Sequence, residues 1–115
     1  MNFHGKSIIA GAPLADSTRT FHAVSPLTAD RLEPAFHEVG AAEVDRALVL
    51  AEEAFAAFGR APAETRAALL EKIGEEIMAL GDALLERAHL ETGLPLARLT
   101  GERGRTVGQL GLFAA

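Results

Sequence analysis

Cysteine is absent from the 115 residues. That excludes disulfides, thiolate metal sites and a cysteine nucleophile within this chain. Tyr and Trp are absent as well, so six Phe residues and the leucines must supply most of the bulk of any core. Much of the 49% apolar content is alanine, which contributes little buried area per residue. No run approaches the roughly 18 to 20 apolar residues of a membrane span. The opening MNFHGKSIIAGAPLA holds only a short apolar patch interrupted by Gly and Pro, which is not a signal-peptide pattern. Positive charge is also scarce: 16 acidic residues against 11 basic ones leave a formal charge of -5, which favours neither nucleic acid nor anionic lipid as a partner. A soluble cytoplasmic protein is the default expectation. The length allows one domain with a modest core, but not an open cofactor sheet together with a substrate domain.

What is present is organised around residues 41–58, AAEVDRALVLAEEAFAAF. Val44, Leu48, Ala51, Phe55 and Phe58 recur at spacings of four, three, four and three, with Glu43, Asp45, Arg46, Glu52 and Glu53 mostly elsewhere on the wheel. This is one amphipathic helix, and it must find an apolar surface to cover. Gly40 marks its start, Glu43 and Asp45 suit the positive end of its dipole, and Gly59 stops it. Pro62 fits the first turn of a second helix over residues 63–80, whose apolar stripe is Leu69, Ile73, Ile77 and Leu80. Gly74 lies inside that helix, where close packing would offset its low propensity. Gly81 and Asp82 separate a third helix, residues 82–92, with Leu84, Leu85 and Ala88 facing inward and Gly93 as its breaker. A fourth starts at Pro95 and includes Leu96, Leu99, Arg103, Val107 and Leu110, with Phe113 as a further candidate. The short connections favour a cluster of neighbouring helices. The strongest core assignments are Leu48, Phe55, Leu69, Ile73, Ile77 and Leu84.

Residues 1–40 differ in character and form an extended arm. KSIIA, residues 6–10, reads as a short strand ended by Gly11, Ala12 and Pro13. Residues 16–18 read as a turn. TFHAVS, residues 20–25, is extended, and Pro26 holds Ser25 in that conformation. Residues 27–30 turn the chain, and residues 32–39 return as a second strand.

Gly101, Gly104, Gly108 and Gly111 fall along one stripe of the fourth helix. Four interior glycines cost roughly 0.8 to 1 kcal/mol each relative to Ala. Two readings stand side by side: close approach to another backbone, and a partly frayed tail. The chain stops at GLFAA without a clear cap and reads as cut rather than finished.

A search for chemistry finds no site. His4, His22, His37 and His89 have no metal-ligand spacing and no cysteine to assist them. Ser7, Ser17 and Ser25 lack an elbow or triad context. The adjacent Glu75 and Glu76, and Glu71 one turn before, read as a solvated helix face rather than an acid and base pair. GERGRTVG, residues 101–108, is neither the dinucleotide fingerprint nor a phosphate loop. Arg98, Arg103 and Arg105 are candidate anion holders, weighed against ordinary surface ion pairs.

The order of FHAVSP, AAEVDRALVLAEEAFAAF, ETRAALLEKIGEEI, ETGLP at residues 91–95 and GERGRTVGQLGLFAA resembles the amino-terminal quarter or less of an aldehyde dehydrogenase. More narrowly it is similar to the branch acting on alpha-ketoglutaric semialdehyde (2,5-dioxovalerate), with some likeness to bacterial NADP-dependent fatty aldehyde dehydrogenases. Ser25 stands where the family's arm usually has Asn, residues 27–30 depart from the familiar turn, and Leu94 replaces a frequent Lys. The resemblance implies an α/β parent, of which this chain is a mainly α-helical piece with a short amino-terminal β arm. It implies residues 1–40 as the extended arm and residues 41–115 as the helical beginning of the cofactor-binding domain. It further implies a parent that oxidises an aldehyde to the acid with NAD or NADP through a cysteine thiohemiacetal, and that works as a homo-oligomer. The catalytic and cofactor groups of such a parent lie beyond Ala115, so no catalytic, cofactor-binding or metal-binding residue is assigned here. The partners implied are the missing carboxy-terminal portion and a small aldehyde, with no nucleic acid, no membrane and no cofactor bound by this chain alone. The competing reading is a non-enzymatic helical interaction module.

Overall fold

The computed structural model describes residues 4–14 and 17–115. Among these are four short strands followed by four helices, the mainly helical chain with a β arm expected from the sequence. The described residues resolve into two compact units, residues 4–24 with 30–60, and residues 25–29 with 61–115.

In the first unit β1 (Ser7–Ile9) pairs antiparallel with β2 (Ala12–Leu14), Ile8 opposite Pro13. The sequence placed the end of the strand at Gly11, Ala12 and Pro13. Instead Ala10 (φ 50°) and Gly11 (φ 76°) make the tight turn, and Ala12 and Pro13 return as the second strand. Two successive left-handed residues match the twist of a two-stranded ribbon, and its free edge tolerates a proline without an amide proton. Asp16 of the expected turn at residues 16–18 lies outside the described residues. β3 (Thr20–Val24) pairs antiparallel with β4 (Arg31–His37). Phe21 faces Phe36 with the rings stacked at 5.6 Å, and Ala23 faces Leu32, so β4 carries extra residues around Pro34. The amide of His37 donates to the Gly5 carbonyl at 2.8 Å, drawing the start of the chain along β4. At Gly5 φ is +63°, and a Cβ would stand 1.9 Å from the Ala35 carbonyl oxygen, so only glycine passes there.

Helix α1 (Ala41–Phe58) has the limits read from its periodicity. Gly40 has no side chain to cap it, but the Glu43 carboxylate accepts from the Gly40 amide at 2.8 Å, the reciprocal half of a capping box. None of its residues is buried.

In the second unit α2 (Ala63–Ala79), α3 (Gly81–Thr92) and α4 (Leu96–Ala114) form a local cluster in which α4 packs on both α2 and α3. Pro62 stands at the N-cap of α2 rather than inside its first turn. Gly74 is buried, with Val107 Cγ1 3.4 Å from where a Cβ would lie, the close packing its position suggested. Gly93 ends α3 in the left-handed conformation, φ 71°, and its amide donates to the His89 carbonyl at 2.8 Å. Pro26 and Leu27 press on the same glycine from the turn at Ser25–Ala29. Ser25 is 2% exposed, and its Oγ accepts the Leu27 amide while its carbonyl accepts the Ala29 amide.

The core differs from the one assigned on periodicity. Leu48, Phe55, Leu69 and Ile73 are exposed, and Ile77 and Leu84 are half-buried. Among the described residues the large apolar side chains that reach burial are Leu85 and Leu99. A helical stripe tells which side of a helix needs cover; it does not supply the element that covers it.

Candidate functional site

Every histidine has a local backbone or side-chain partner, and the four do not converge. His4 Nδ1 accepts the Lys6 amide at 3.0 Å, His37 Nδ1 faces the Ser17 carbonyl at 2.9 Å, and His89 Nδ1 faces the Leu94 carbonyl at 2.7 Å. His22 Nε2 lies 3.3 Å from Glu33 across the β3–β4 ribbon. Glu91, on the same helix as His89, accepts from Arg87 Nε at 2.5 Å. Among the described residues no group of three His, Asp or Glu side chains comes together to hold a metal ion.

The serines are equally engaged. Ser7 Oγ donates to the His37 carbonyl and Ser17 Oγ to the Arg19 carbonyl, so none is paired with a general base. A cavity of about 420 Å³ at the start of α1 brings Ser17, His37, Glu38, Glu43 and Arg46 to its walls. Glu38 is already paired with Arg19 and Glu43 with the Gly40 amide, so this cavity does not assemble a nucleophile, a base and an oxyanion donor.

The carboxylates on α2 follow the surface reading. Lys72 Nζ lies 3.0 Å from Glu76 and 3.1 Å from Glu75. The hydrogen bond to Glu76, then that to Glu75, holds the Lys72 ammonium above its ordinary value of 10.5.

The arginines divide. Arg103 Nη1 donates to the Gly81 carbonyl at 2.8 Å, tying α4 to the α2–α3 turn, a structural task rather than anion binding. Arg98 and Arg105 both reach Glu102, at 3.9 and 3.2 Å, and are largely exposed. Residues 101–108 lie inside α4, where interior amides are bonded to carbonyls of the preceding turn. They offer no cradle for a pyrophosphate. Gly101, Gly104, Gly108 and Gly111 belong to a continuous helix with open space where each Cβ would be. The fourth segment is therefore not a frayed tail, and no backbone of the described chain closes on its glycines.

Sequence reasoning missed a cavity between α2 and α4, about 420 Å³, lined by Leu70, Leu110, Phe113, Gln109, Thr106 and Arg105. Leu110 stood on the expected stripe of the fourth helix, but only the packing of α2 against α4 makes a hollow beside it.

Comparison with known proteins supplies what the geometry lacks. Residues 14–115 match the model of the aldehyde dehydrogenase family. The chain is 51% identical to alpha-ketoglutaric semialdehyde dehydrogenase 2 of Azospirillum brasilense over 115 residues, covering 99% of this chain and 22% of that protein. It is 38% identical to alpha-ketoglutaric semialdehyde dehydrogenase of Acinetobacter baylyi over 111 residues, 96% of this chain and 21% of that protein. It is 35% identical to 3-sulfolactaldehyde dehydrogenase of Pseudomonas putida over 100 residues, 87% of this chain and 20% of that protein. The chain thus spans about a fifth of the length of these curated relatives.

Proposed function

Because this chain belongs to the aldehyde dehydrogenase family, we propose that it is the amino-terminal part of an enzyme that oxidises alpha-ketoglutaric semialdehyde to the corresponding acid. The observation that carries this reading is the 51% identity maintained over 99% of the chain. NAD or NADP is the hydride acceptor, held by the parent's remaining domains and not by residues of this chain. Residues 1–40 serve as the parent's extended arm and residues 41–115 as the helical start of its cofactor-binding domain. The parent acts in the cytoplasm as a homo-oligomer. No helix among the described residues is long and apolar enough to cross a membrane.

The substrate class also has chemical support. Alpha-ketoglutaric semialdehyde and 3-sulfolactaldehyde, the aldehydes in the relatives' names, each carry an acid group. An aldehyde with a second, anionic end therefore fits better than a long-chain alkyl aldehyde. None of the arginines here is assigned to that anion.

The 115 residues alone are inactive, since the chain has no cysteine to form a thiohemiacetal. The test is an assay of the complete parent and of the 115-residue chain, following NAD(P)H formation with 2,5-dioxovalerate and with a long-chain aldehyde. The reading expects turnover of the dicarboxylic semialdehyde by the parent and none by the short chain. Preference for the alkyl aldehyde would overturn the substrate assignment, and turnover by the short chain would overturn the division of labour.

A further inference from the structure

We draw no further inference here: the strongest candidate, the open apolar groove between α2 and α4 lined by Leu70, Leu110 and Phe113, carries nothing because nothing in the structure shows what covers it.

Discussion

Gly5 and Gly108 respond in opposite directions to one added methyl group. Gly5→Ala places a Cβ against a backbone oxygen that cannot yield, at a positive φ, and should cost about 1 to 3 kcal/mol. Gly108→Ala meets open space inside α4 and should stabilise the chain by about 0.8 to 1 kcal/mol. Urea midpoints of the two variants check both signs. Lys72 offers a pH test. Its pKa is raised in the folded chain, so its ion pairs support α2 fully below the unfolded value of 10.5 and lose that support as pH rises through the raised value. Stability followed by circular dichroism should hold from neutral pH to about 10 and then fall, and Lys72→Met should lack this portion of the fall. No Tyr or Cys titrates in the same range. The residue scale was partly legible: Gly93 as a helix stop could be read directly, because a glycine between a helical pattern and a proline has few other uses. Gly5 could not, because its constraint is the oxygen of Ala35, thirty residues away.

At the scale of elements, helices α1, α2 and α3 were found within a residue or so of their expected limits, and α4 starts one residue after Pro95 and runs on to Ala114, where the sequence had set no end. Periodicity, proline and glycine are local signals, and helical hydrogen bonds are local too. The second strand of the first hairpin was missed because Gly11, Ala12 and Pro13 look like an ending; their pairing with β1 is visible only when both strands are in place. Burial was the least legible property. Leu99 of α4 is 9% exposed, so Leu99→Ala should cost about 2 to 5 kcal/mol, measurable in thermal or urea unfolding. Phe55→Asp should leave the thermal stability of the 115-residue chain within about 0.5 kcal/mol, because the ring is 72% exposed there. In the proposed parent the same change should be strongly destabilising if further chain covers the ridge, through burial of a charge. The contrast between the two measurements reports on that cover.

At the scale of the whole molecule, the large exposed apolar surface and the small buried core point the same way as the comparison with longer relatives. Leu85 and Leu99 are the buried large apolar side chains, while Leu48, Phe55, Leu112 and Phe113 are each more than 60% exposed. Exposed apolar stripes of this kind, one on α1 and one at the end of α4, mark surfaces that bind something.

The absence of a thiol nucleophile from these residues was decided by the sequence itself, since they include no cysteine. The helices, the extended arm and the family resemblance were also set there, because they rest on residue order and on interactions spanning a few positions. Tertiary structure alone decided which apolar side chains are covered and that Arg103 reaches Gly81 instead of an anion. It also decided that Leu70, Leu110 and Phe113 line one open groove. The reason is that burial and cavity shape belong to pairs of elements: a stripe on one helix names a need, and the surface brought against it determines whether the need is met.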